Sequence, residues 1–160
     1  MKKWILIIIG TITCFFVFKH FVLYTIPFSQ YGVIAANWDI KLPRGAEITD
    51  IIVREPSFLG DGEDFIKFQY DQPVDMSEVG LTKLTAENDG AANDKITEFI
   101  TATISIHNND EAIINAFRTH NIKAEPGDYY LFVQREGAHD YLILLYKVET
   151  NALYLYVWHI

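Results

Sequence analysis

The strongest hydrophobic run in the chain lies at its N-terminus. Residues 4–18 carry no charge, and after Lys19 the apolar character resumes and continues to Pro27. A helix of about 15 residues is about 22 Å long, which is short for a hydrocarbon core of about 30 Å. Residues 4–24 are long enough to span if Lys19 extends to the far interface. The pattern predicts a membrane anchor over residues 1–28 that enters the membrane through residues 4–24.

A cleaved signal peptide would open in the same way, but it needs small residues directly after the apolar run. Positions 15–28 contain no A-x-A pattern, and the first paired small residues, Ala35 and Ala36, lie far downstream. Cys14 would suit a lipoprotein, yet the apolar run continues past it. The segment is therefore interpreted as an uncleaved anchor. A cleaved peptide, a lipoprotein and a buried soluble helix are the alternatives.

The charges that flank the anchor predict its orientation. Lys2 and Lys3 precede the apolar run, and basic residues remain on the cytoplasmic side of a membrane. Lys19 weakens this asymmetry without reversing it. We therefore expect a cytoplasmic N-terminus and a single domain, residues 29–160, on the outer face of a bacterial cytoplasmic membrane.

Alternation of apolar and polar residues predicts the strands of that domain. In the last third of the chain it is clearest, because two short polar connections separate three alternating segments and predict an antiparallel meander. Earlier alternating segments predict two or three further strands. The predicted strands are 38–42, 47–54, 65–70, 129–135, 141–148 and 153–160.

Helical periodicity appears between the early and the late strands. Ile96, Phe99 and Thr103 belong to one apolar stripe and predict a helix over residues 94–107. A second helix is expected from an Asn108 cap to about residue 120. A capping box at Asp75-Met76-Ser77-Glu78 predicts a third, short helix through Leu84. The fold class is therefore α+β, with an antiparallel sheet of five or six strands, a C-terminal three-stranded meander, and two or three helices packed on one face.

Charge and cysteine content narrow the function classes. Residues 20–160 hold 10 basic and 21 acidic residues, a net charge of −11. Such a domain is repelled by phosphate backbones, which argues against nucleic acid as a partner. The one cysteine, Cys14, lies in the anchor, so the domain has no disulfide and no cysteine nucleophile or cysteine metal site.

No pattern in the sequence identifies an active site or a cofactor site. The acidic loop 61–64 lacks the ligand spacing of a calcium loop and is interpreted as a solvated turn. The histidines form no zinc motif, and His107 and His120 are expected to end helices. Serine-nucleophile, Walker and dinucleotide motifs are absent. We therefore predict no catalytic, metal or cofactor residues.

Aromatic residues concentrate in the last 32 residues and supply the one candidate site. Neighbouring strands would align five rings on one face of the sheet, a surface suited to a protein, a peptide or a glycan. The competing interpretation is that the predicted helices cover this face. The candidate partner-binding residues are Tyr130, Phe132, Tyr154, Tyr156 and Trp158.

The leading function is a non-catalytic interaction or accessory domain that recognises another protein or a cell-wall component. A small cell-wall-directed hydrolase, with a site that the sequence does not reveal, is the first alternative. The second is an accessory subunit of a membrane complex.

Overall fold

A computed structural model describes residues 29–53, 62–135 and 139–159. The predicted anchor, residues 1–28 with its membrane segment 4–24, lies outside the described residues. In the part of the chain that is described, no helix has the length and apolar character needed to cross a membrane.

The chain divides into two compact units, an N-terminal unit of residues 1–44 and a sheet unit of residues 45–160. The N-terminal unit contains helix α1, Gln30–Trp38. Ser29 caps this helix, because its side chain accepts a hydrogen bond of 3.2 Å from the Gly32 amide. The helix ends at Asp39, which adopts the left-handed conformation.

The predicted strand over residues 38–42 does not form. Trp38, Ile40 and Leu42 are buried while the residues between them are exposed, so the alternation read from the sequence corresponds to real burial. Trp38 is the last residue of α1 and Asp39 is left-handed, however, and no described strand pairs with residues 40–42.

The sheet unit is built on a six-stranded sheet in the order β1-β2-β6-β5-β4-β3, in which every pair is antiparallel. The α+β class and the C-terminal meander of β4, β5 and β6 are confirmed. The strands are β1 Glu47–Ile52, β2 Gly62–Gln69, β3 Thr82–Lys83, β4 Tyr129–Gln134, β5 Tyr141–Lys147 and β6 Ala152–His159.

Two helices of the sheet unit cover one face of the sheet, α2 Asp89–Ile106 and α3 Glu111–Thr119. The predicted stripe of Ile96, Phe99 and Thr103 is buried in α2, although the helix begins at Asp89 and not at residue 94. Ile96 and Phe99 form a core with Phe117 of α3 and the aromatic face of the sheet.

The predicted helix after Asp75 is replaced by a 3₁₀ turn, Ser77–Val79, and the two-residue strand β3. The Asp75 carboxylate accepts from the amide and the hydroxyl of Ser77, at 2.9 and 2.6 Å, and so closes a local turn. Gly80 then adopts φ 88°, which ends the helical geometry.

The opposite face of the sheet is also buried. Ile66, Phe68, Leu144 and Leu155 alternate with the helix-facing residues and are each at most 1% exposed. Residues 152–157 of β6 are accordingly buried on both faces of the sheet.

Candidate functional site

The strand register brings the five predicted aromatic residues onto one face. In the ladders, Tyr130 and Tyr154 are both partners of Leu145, and Phe132 and Tyr156 are both partners of Ile143. Trp158 lies opposite Tyr141. The aromatic row predicted from alternation is therefore present, with Tyr141 as an additional member.

Two residues of this row belong to the core and not to a surface. Tyr154 and Tyr156 are 7% and 1% exposed. The Tyr156 ring stacks on Phe65, with centroids 4.6 Å apart, and meets Phe99 of α2 edge-on at 5.2 Å. Helices α2 and α3 cover this part of the face, so the competing interpretation holds for both tyrosines.

The other three residues lie where the helix cover ends. Tyr130, Phe132 and Trp158 are half-buried. A cavity of about 230 Å³ lies beside Phe132 and Trp158, under the C-terminal half of α2. Tyr141 lines it as well, and its ring stacks on that of Trp158 with centroids 6.0 Å apart and planes 3° from parallel.

A second cavity, of about 440 Å³, adjoins the N-terminal half of α2. Its lining is mainly apolar and includes Leu84, Ala91 and Tyr130. Phe132 and Lys95 line both cavities, so the two form one surface along strand β4. We call this surface the α2–β4 groove.

Lys95 and Glu98 place a pair of opposite charges at the middle of the groove. The Lys95 ammonium lies 2.7 Å from the Glu98 carboxylate and 5.1 Å from the centre of the Phe132 ring. Burial, together with the charge of Glu98, raises the pKa of Tyr141 to about 12. Burial alone raises the pKa of Tyr130 to about 12. Both phenols therefore remain neutral hydrogen-bond donors at physiological pH.

Sequence reasoning did not include Tyr141, Lys95 or Glu98 in the candidate site. Tyr141 begins its strand, and its position beside Trp158 follows from the β5–β6 register. Lys95 and Glu98 are one helical turn apart and read as an ordinary exposed ion pair. Only the packing of α2 over β4 reveals their place in the groove.

The residues weighed as candidate chemistry lie elsewhere or serve other contacts. Of the acidic loop, residue 61 lies outside the described residues, and residues 62–64 begin strand β2, so their interpretation as a solvated turn was wrong. Glu63 is 3% exposed and bonds to His107. His107 and His120 do follow the last residues of α2 and α3, as expected. Across residues 29–53, 62–135 and 139–159, no group of three or more acidic, histidine or cysteine side chains could hold a metal ion.

The fold is that of an α+β protein with one antiparallel sheet, two helices on one face and an open groove beside an outer strand. Comparison of the chain with protein-family models, with curated proteins and with solved structures finds no match. The functional proposal therefore rests on the chemistry of the groove itself.

Proposed function

We propose that this protein is a non-catalytic interaction domain that recognises another protein through the α2–β4 groove. The observation that carries the proposal is the position of Phe132, a partly buried ring shared by an apolar and a polar cavity. Large apolar rings beside a few convergent polar groups are typical of binding surfaces.

The shape of the groove favours a protein over a small molecule. Its two cavities follow one another along β4 and are open, with Lys95 between them. A small ligand would fill one of them and leave the other rings exposed, whereas a polypeptide would cover both. The partner is accordingly a protein, with a cell-wall glycan as the competing ligand.

The location is also a proposal and is supported by the sequence. The uncharged run after Lys2 and Lys3 suits an anchor that holds the domain outside a bacterial cytoplasmic membrane. Tethering would raise the effective concentration of the groove for neighbouring membrane proteins.

Site-specific photo-crosslinking in the cells that produce the protein tests this function. A photoreactive amino acid replaces Gln134, an exposed residue that lines the polar cavity, or Asp71, an exposed residue outside the groove. We expect the probe at position 134, and not the probe at 71, to form one defined protein adduct.

The matched variants are Ala91→Arg, which places a long charged chain in the apolar cavity, and Ala91→Ser, which does not. The adduct should decrease several-fold with the first and persist with the second. Equal adducts from both probe positions, or no protein adduct from position 134, would contradict the proposal. A slowly migrating adduct of glycan size would instead identify a cell-wall glycan as the ligand.

A further inference from the structure

The direction of the backbone hydrogen bonds in β4 can be determined residue by residue. The Leu84 amide donates to the Asp128 carbonyl at 2.7 Å, on the side of β3. The Arg135 amide donates to the Asp140 carbonyl at 3.1 Å, on the side of β5. These directions alternate along an antiparallel strand. The backbone N–H and C=O groups of even-numbered residues of β4 therefore point toward β3, and those of odd-numbered residues point toward β5.

Strand β3 occupies only the first part of this edge. Its pairing ends at Thr82 and Tyr130. The amides and carbonyls of Phe132 and Gln134 therefore point away from the sheet, and no strand within the described ranges pairs with them. Among the described residues, a free edge therefore begins directly after β3.

Nothing in the local sequence protects this edge. Residues 129–134 contain no charge and no proline, and their register with β5 has no bulge. Proteins usually protect open edges with charges, prolines or bulges, because an apolar free edge pairs with other chains. An unprotected edge beside a groove is the arrangement that accepts an added strand.

We propose that the α2–β4 groove binds an extended, basic segment of another protein, which adds to the sheet as a strand next to β4. This inference rests on the proposed function and specifies its partner. The segment would exchange backbone hydrogen bonds with Phe132 and Gln134, as a seventh strand of the sheet.

The two cavities determine which side chains the segment carries. Alternate residues of a strand lie about 6.6 Å apart on one face, so every second side chain would enter the groove. The cavity lined by Leu84, Ala91 and Tyr130 accepts an apolar side chain. The cavity with Glu98 and Gln134 accepts a polar side chain two residues along.

Charge favours a basic side chain at that second position. The Glu98 side chain is 60% exposed and is available to a second cation besides Lys95. The net charge of −11 on residues 20–160 attracts basic segments over a longer range. An acidic segment would be repelled by the same field.

The test begins with a phage-displayed library of random 12-residue peptides, panned on the full-length protein in detergent. The most enriched peptide is synthesised, and its affinity is measured by fluorescence anisotropy. We expect enriched peptides to share an apolar residue and a basic residue two positions apart.

The decisive variants are Gln134→Pro and Gln134→Ala. Proline removes the outward amide of position 134, which the β4–β5 ladder does not use, and the outer edge of a sheet tolerates proline. Alanine removes the side chain and keeps the amide. We expect Gln134→Pro to bind the peptide at least about tenfold more weakly than Gln134→Ala, because both variants lack the glutamine side chain and only alanine keeps the amide. Circular dichroism and the melting temperature establish that both variants remain folded.

A second measurement does not depend on how the proline variant folds. Peptides methylated at one backbone nitrogen at a time are compared with the parent peptide. If the peptide adds as a strand, methylation weakens binding at every second position, because only alternate amides face β4. Losses without this two-residue period would overturn the inference.

The outcomes separate this inference from the proposed function. A peptide that competes with the photo-crosslinked partner but binds Gln134→Pro as tightly as the wild type would leave the function standing and overturn strand addition. A protein adduct at position 134 with no enriched linear peptide would also leave the proposed function standing and overturn strand addition. Absence of both the adduct and any enriched peptide would overturn the function itself.

Discussion

At the scale of single residues, the Asn93 side chain makes three hydrogen bonds to backbone groups of the sheet unit. Its side-chain amide donates to the carbonyls of Asp89 and Ala124, and its side-chain oxygen accepts from the Ala124 amide, each at 2.9 Å. Ala124 is 0% exposed, so water does not reach its backbone groups. One side chain thus ties the start of α2 to the segment that leads into β4.

Replacement of Asn93 by alanine should lower the free energy of unfolding by about 1–3 kcal/mol, because it leaves two buried backbone groups unsatisfied. Urea unfolding followed by circular dichroism measures the change. Asn115→Ala is the matched control, since Asn115 is exposed and bonds only to the exposed Arg118 among the described contacts. Equal stabilities of the two variants would show that Asn93 does not link α2 to the segment before β4.

At the scale of secondary-structure elements, the junction of α2 and α3 shows which residue begins a helix. Asn108 and Asn109 both adopt the left-handed conformation, with φ 54° and 59°, and turn the chain after α2. Asp110 is the cap of α3, because its carboxylate accepts from the amides of Ala112 and Ile113 at 2.7 and 3.3 Å. The predicted Asn108 cap was therefore wrong by two positions.

The two candidate caps can be separated by substitution. Asp110→Ala should cost about 1 kcal/mol of stability, because it removes the acceptor for the first amides of α3. Asn108→Gly should change stability by less than about 0.5 kcal/mol, since glycine adopts the left-handed conformation readily. Urea unfolding of both variants is the measurement. A larger loss of stability for Asn108→Gly than for Asp110→Ala would show that Asn108 is the cap, as the sequence predicted.

Elements with strong local periodicity were predictable, and those decided by distant packing were not. The meander follows from alternation in residues 129–160, and helix α2 follows from the stripe of Ile96, Phe99 and Thr103. Helix α1 was not predicted, and the strand expected over residues 38–42 overlaps it only at Trp38. Strand β3 is only two residues long and depends on its pairing with β4.

The candidate site was predictable in the same partial way. Alternation placed Tyr154, Tyr156 and Trp158 on one face, and this is confirmed by the register. Alternation carries no information on how far a helix extends over that face, so the buried tyrosines could not be distinguished from the partly buried Trp158. The groove depends on that boundary, which is a matter of tertiary packing.

At the scale of the whole molecule, several ionisable groups of the sheet unit have raised pKa values. Burial raises the pKa values of Tyr130, Tyr141, Tyr154 and Tyr156. Burial lowers the pKa of Lys147, but hydrogen bonds to two carboxylates outweigh it and leave that pKa above its ordinary value. All five groups therefore hold their protons more tightly in the folded chain than in the unfolded one.

Because all five pKa values are raised, we expect alkali to destabilise the folded sheet unit. A tyrosine whose folded pKa is raised contributes its full stability below the unfolded pKa of about 10, and this contribution is lost as the pH rises through the folded value. For Tyr130 and Tyr141 that loss extends to a pH of about 12. Urea midpoints should therefore be constant near neutrality and fall steeply above a pH of about 10.

Tyr141→Phe separates the tyrosine contribution from general alkaline damage. Phenylalanine keeps the stacking surface beside Trp158 and cannot ionise, so the variant should lose less stability than the wild type over the same alkaline range. Parallel profiles for the two proteins would mean that Tyr141 ionises as freely in the folded chain as in the unfolded one.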